Sequence, residues 1–148
     1  MSSEEEALAR AIMELQGIEK AISELQSLMA TLRAALNEFE SAMSLLEELA
    51  KHKEGIMVLV PIGGGNLLRA EIKEVNTIRV NLGAGVIVEE TLEKSQEIMR
   101  KRRENLMKSI ELHENRILQY ARRAEELRRL VEALSARIRE RQRQPHSS

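Results

Sequence analysis

Residues 56–89 read IMVLVPIGGGNLLRAEIKEVNTIRVNLGAGVIVE, and this stretch decides the fold. It is the one part of the 148-residue chain without a helical pattern. Gly55 is placed to end a preceding helix. Residues 56–60, IMVLV, form a β-branched-rich run, followed by Pro61-Ile62 and a Gly63-Gly64-Gly65 turn. Leu68, Ala70 and Ile72 alternate with Arg69, Glu71 and Lys73, the period-2 signature of a half-buried strand. Glu74-Val75-Asn76 predicts a second turn. Ile78, Val80 and Leu82 then alternate with Thr77, Arg79 and Asn81, Gly83-Ala84-Gly85 turns again, and Val86-Ile87-Val88 makes a last short strand. The expectation is four strands in two β-hairpins. So small a sheet needs something to pack on, and its open edges invite pairing with other chains.

Both flanks read as long helices. Upstream, Ser2 and Ser3 precede three Glu, a helix-start signal. From Ile18 the apolar residues alternate four and three: Ile22, Leu25, Met29, Leu32, Leu36, Phe39, Met43, Leu46, Ala50. That is a heptad seam. Before Ile18 the spacing of Leu8, Ile12 and Leu15 breaks phase, with Gly17 at the break. A stammer is expected there, which makes Leu8, Ile12 and Leu15 candidates for partial exposure. Downstream, Glu90 or Thr91 opens the second helix. An imperfect start (Leu92, Gln96, Met99, Arg103) becomes a regular seam from Leu106 through Ile110, His113, Ile117, Tyr120, Ala124, Leu127, Val131, Leu134 and Ile138. Pro145 lies beyond it. Arms of about fifty residues around a short connector predict an antiparallel hairpin, with Leu46 near Met99 and Ile12 near Leu134. The expected boundaries are 4–54 for the first helix, 55–89 for the hairpins, 90–141 for the second helix and 142–148 for a frayed tail, within one domain spanning 1–148.

Composition agrees with this pattern. Charged residues make up 32% of the chain and aromatics 1%, a balance that favours long helices or coiled coil over an ordinary aromatic-rich core. The formal net charge is −1, but residues 1–54 hold 11 Glu against 5 Lys and Arg, and residues 89–148 hold 11 Glu against 15. Opposite charge on two matched helices favours their pairing. The chain has no Cys, so it has neither a disulfide framework nor a thiolate metal site. No apolar run reaches the roughly 18 residues of a membrane span, and the acidic start lacks a signal-peptide pattern. These features favour a cytoplasmic protein.

Candidate chemistry is sparse. A phosphate-binding loop needs Gly-Lys-Ser/Thr and a helix directly after it, whereas Gly63-Gly64-Gly65 leads into Asn66 and another strand. His113 sits on a seam position, where a polar residue ordinarily fixes register. The Arg residues after Glu126 are interspersed with Glu and face an acidic partner arm, so a salt-bridged face is favoured over nucleic-acid binding. No catalytic set, cofactor site or metal cluster is expected, and the chain is not read as an enzyme.

The segments Val60-Pro61-Ile62-Gly63-Gly64-Gly65 and Val80-Asn81-Leu82-Gly83-Ala84-Gly85-Val86, set between matched helices, resemble the α class of the archaeal prefoldin family. The resemblance covers nearly the whole chain, and two hairpins rather than one fit the α class. It implies a mostly α fold in which a long antiparallel two-helix coiled coil is joined by two β-hairpins, with the strands assembling into an intersubunit β-barrel. It implies a hexamer of two α and four β subunits, pairing this chain with a second copy of itself and with prefoldin β subunits. It also implies an ATP-independent chaperone that holds unfolded polypeptide at the arm tips and passes it to a group II chaperonin. Hub residues would be Met57, Val58, Leu59, Val60, Ile72, Ile78, Val80 and Val88. Tip residues would be Leu8, Ile12, Leu15, Val131, Leu134 and Ile138. The competing reading is a structural or filament-forming coiled-coil subunit of prefoldin-like type.

Overall fold

A Ser hydroxyl opens the first helix: Ser2 Oγ accepts the Glu5 amide at 3.2 Å, and three Glu follow in the first turn. In the computed structural model, which describes residues 2–73 and 76–144, that helix is α1 (Ser3–Lys51). Strands β1 (Ile56–Gly63), β2 (Asn66–Ile72), β3 (Thr77–Gly83) and β4 (Val86–Thr91) follow, and α2 (Leu92–Arg143) closes the order. The turn expected around Glu74 and Val75, and the tail from Pro145, lie outside the described residues. Thr91 is the cap of α2: its Oγ1 accepts the Lys94 amide at 3.1 Å, and its carbonyl accepts the Ser95 hydroxyl at 2.8 Å. Among the described residues no helix is long and apolar enough to cross a membrane.

The strands form two separate two-stranded antiparallel sheets, β1-β2 and β3-β4. Tight turns fix their register. Gly64 (φ 59°) and Gly65 (φ 78°) join Gly63 to Asn66, and Ala84 (φ 51°) and Gly85 (φ 79°) join Gly83 to Val86. Positive φ at both central residues suits a two-residue hairpin, because its twist matches that of the strands. The triple glycine is therefore a hairpin turn.

Two compact units divide the chain: Met1–Arg33 with Ser109–Ser148, and Ala34–Lys108. In the first, α1 and α2 are antiparallel. Glu4 pairs with Arg141, Glu19 with Arg128 and Arg33 with Glu114, so α2 numbers fall as α1 numbers rise. Its core joins Ala11, Ile18, Ala124 and Leu127, with Leu15, Ile22, Tyr120 and Val131 packed against them. In the second unit, Leu46, Leu49 and Leu92 form the core, and Ala50, Ile56, Ile72, Ile78 and Met99 pack on it. The expected Leu46–Met99 pairing is thus present, and the roots of both hairpins rest on the helix ends.

The heptad seam holds with one change. The expected stammer before Ile18 is absent: Ala11 is buried, and Ile12 lies on the exposed side. Continuing the three–four alternation backwards from Ile18 gives Leu15, Ala11 and Leu8. An alanine keeps the phase here, in one buried cluster with Ile18, Ala124 and Leu127. The helix obeys its geometric repeat rather than the bulk of the local side chains.

Candidate functional site

Apolar side chains remain open to solvent in each hairpin, near the start of α1 and singly along both helices, among them Leu28, Leu45, Leu112 and Leu118. In the first hairpin, residues directly opposite in register share a face. Ile56 faces Ile72, Val58 faces Ala70 and Val60 faces Leu68, which makes one wholly apolar face. Its root is half-buried on the helix ends, while Val60 and Leu68 are exposed. Met57 and Leu59 lie on the other face, opposite Glu71 and Arg69, and are also exposed. In the second hairpin Val80 faces Val88. Val80 is only 4% exposed and lies among this chain's own helices, whereas Val88 is half-buried. Ile72 and Ile78 likewise pack on the chain's own core. Of the expected hub residues, Met57, Leu59 and Val60 are the ones left most open.

The expected tip residues all fall in the first unit. Leu8, Leu15, Val131 and Ile138 are half-buried, Leu134 is 7% exposed and Ile12 is 37% exposed. Sequence reasoning missed Met13, which at 72% is the most exposed large apolar side chain among the described residues. It lies off the heptad, so a seam count passes over it, yet its position beside Ile12 on a polar helix face was the available signal. Ile62, Leu67, Leu68 and Ile87 were missed too, and all are well exposed.

Charge surrounds these apolar patches. Arg123 donates to both Glu14 carboxylate oxygens, at 2.8 and 3.1 Å, and also to Glu126 at 3.2 Å. The hydrogen bond from Arg123 holds the Glu14 carboxyl below the usual carboxylate range. The same bond raises the Arg123 pKa further. Such exposed pairs fix register more than they stabilise. In the second unit, Arg103 pairs with Glu40 at 3.2 Å, and Arg102 lies over the Phe39 ring, 5.1 Å from its centroid. His113 is half-buried, and its Nδ1 is 2.6 Å from the Ser109 carbonyl, a local bond within its own helix. Among the described residues no group of three or more His, Cys, Asp or Glu is placed to hold a metal.

Two long helices and two separate two-stranded hairpins with exposed apolar side chains define a mostly helical chain with a small β part. The prefoldin subunit family model matches residues 18–137, so the chain belongs to the prefoldin family. Prefoldin is a non-enzymatic chaperone class. Prefoldin subunit alpha of Thermofilum pendens is 29% identical over 104 residues, covering 70% of this chain and 81% of the relative. Prefoldin subunit alpha of Methanosarcina mazei is 31% identical over 99 residues, covering 65% and 70% respectively. The cryo-EM structure of filamentous PFD from Methanocaldococcus jannaschii aligns with 83% of this chain and 96% of its own, at 24% identity and a TM-score of 0.48.

Proposed function

We propose that this chain is the α-type subunit of a cytoplasmic, ATP-independent chaperone that binds non-native polypeptides and passes them to a group II chaperonin. The observation that carries the reading is the pair Ile12 and Met13, exposed on a helix whose neighbouring seam is otherwise filled. A holdase must keep apolar surface available without collapsing on itself. Two packed helices do this when some apolar residues lie outside the seam. Exposed apolar patches of this kind mark interaction sites. Tip contacts are assigned to Leu8, Ile12, Leu15, Val131 and Ile138, with Met13 added, whereas Leu134 is buried at 7% exposure and serves packing instead.

Assembly proceeds through the strands. Two-stranded sheets are marginal alone, and each of these carries apolar side chains that its own chain leaves uncovered. The assembly is an α2β4 hexamer around a strand-built hub, in which the whole of 1–148 acts as one prefoldin-type domain. Met57, Leu59 and Val60 meet neighbours, while Val58, Ile72, Ile78, Val80 and Val88 set the hairpins on their helices. Several arms holding one client through weak contacts gain avidity with little sequence preference.

The test is aggregation suppression. The chain, reconstituted with its β-type partner, is mixed without nucleotide with a chemically denatured protein diluted from denaturant. Suppression at near-stoichiometric amounts is expected. Full aggregation, or open-ended fibres of this chain with no effect on the denatured protein, favours the structural, filament-forming alternative.

A further inference from the structure

We propose that Met13 is a reversible oxidation site on the client-contact surface. A hydroperoxide converts its thioether to the sulfoxide, and the grip on unfolded chains falls until a thiol-dependent reductase restores it. The inference rests on the tip reading above and names a chemistry that regulates it.

Packing does not call for a methionine here. With Ala11, Leu15 and Ile18 on the packed side, Met13 falls at the outermost heptad position of α1, in line with Glu6, Lys20 and Ser27. Those three are polar and exposed, as a solvated helix face requires. Met13 is the exception, an exposed apolar side chain beside Ile12. Its neighbours leave the sulfur bare. Ale-sized contacts along the helix would come from Ala9 and Gly17, one turn away on either side. Both are exposed and small, and a Cβ added at Gly17 would meet nothing within 4 Å. Glu14 does not cover the sulfur either, because Arg123 of α2 holds both its carboxylate oxygens.

The rest of the chain sharpens the selectivity. The sequence has no Cys, so no thiol of this chain competes for the oxidant. Met29, in the seam of the same helix, is 4% exposed and shielded. Met57 and Met107 are exposed, but Met57 lies in the hairpin assigned above to assembly. In the reaction a sulfur lone pair attacks one peroxide oxygen and the O–O bond breaks. The sulfur gives up two electrons, and the proton on the attacked oxygen passes to the departing one, which leaves as water or an alcohol. A dithiol reverses the step: it removes the oxygen as water and is left as a disulfide. The sulfoxide is polar, so it disrupts an apolar contact, and at this position it does so without entering the core.

The assembled chaperone, this chain with its β-type partner, is treated with hydrogen peroxide, which catalase then removes. Peptide mass mapping follows each methionine, and urea unfolding follows stability. Anisotropy of a labelled unfolded polypeptide lacking methionine follows binding. Met13 should oxidise well before Met29, with stability unchanged. Losing the exposed surface of Met13 from the contact should weaken binding by about five-fold or more. Methionine sulfoxide reductase with dithiothreitol should restore it. Met13→Leu should hold its own starting affinity through the same treatment. Oxidation of Met13 no faster than that of Met29 would overturn the site. A peroxide-induced loss of binding in Met13→Leu as large as in the parent would place the effect on another residue and overturn it too. Complete Met13 sulfoxide with unchanged affinity, where Ile12→Ser does weaken binding, would overturn the regulatory role and leave the tip reading standing. Unchanged affinity in both would remove the tip reading as well.

Discussion

Replacing Ile12 and Met13 together by Ser should separate binding from folding. Ile12 is 37% exposed and Met13 72%, so much of their apolar surface is free to meet a client. Full burial of a side chain of this size is worth about 1.5–3 kcal/mol. Scaling that range by the exposed fractions gives about 1.6–3.3 kcal/mol per arm, or roughly 15- to 230-fold in affinity. The stability cost should be small, since surface changes usually fall within about 0.5 kcal/mol each. Leu127→Ala, in the buried core of the same unit and only 1% exposed, should behave in the opposite way. It should cost about 2–5 kcal/mol of stability through lost burial and a cavity. The assay is fluorescence anisotropy of a labelled, permanently unfolded polypeptide titrated with each assembled variant, alongside urea unfolding. An affinity within two-fold of the parent for the double Ser variant, with stability unchanged, would refute the assignment of these residues to the binding surface. A loss of affinity matched by an equal loss of stability would show that they act through folding.

Other predictions follow from the backbone and from charge. Gly55 has φ +116°, and an added Cβ would sit 2.4 Å from the Ile72 carbonyl oxygen and 3.1 Å from Lys73 Cα. Gly55→Ala should therefore destabilise by more than about 2 kcal/mol, combining left-handed strain with a backbone clash, as read by urea unfolding and by faster amide exchange in β1 and β2. Ala84 has φ 51° in a turn that favours glycine, so Ala84→Gly should stabilise the β3–β4 hairpin by about 1 kcal/mol, seen as slower amide exchange across it. Glu14 has a folded-state pKa held down by Arg123, so its contribution is present above about pH 4.3 and is lost as pH falls through the lower folded value. Glu14→Gln should flatten the acid limb of a stability-versus-pH curve, and an unchanged limb would show that the pair does not couple to folding.

The helices were legible because a repeat spread over fifty residues averages out local noise. The two hairpins were legible because alternation and glycine turns agree with one another. Ile12 was harder. Bulk alone argues for Ile over Ala in a seam, but the repeat is set by the whole helix, and Ala11 shares one buried cluster with Ile18, Ala124 and Leu127. Val80 looked like any inward strand residue. Whether such a residue packs on its own helices or on a neighbour depends on how the hairpin root seats on Leu46, Leu49 and Leu92, which no local pattern encodes. Nothing local in the sequence marks Arg102, since its partners Phe39 and Asn81 are far away in sequence. α1 stops at Lys51, because the chain must turn through Gly55 to start β1, and α2 starts at Leu92, after β4 has run on to Thr91. Function was legible mainly through its family, because apolar exposure outside a seam is a property of packed surfaces rather than of composition.

The central claim is that the working surface lies at the ends of the helices and the assembly surface in the hairpins. Amide hydrogen exchange of the assembled chaperone, with and without a bound unfolded polypeptide, tests it most directly. Bound polypeptide should slow exchange in residues 8–18 and 127–138 and leave β1–β4 unchanged. Slowing confined to the hairpins, with the helix ends unaffected, would contradict the account.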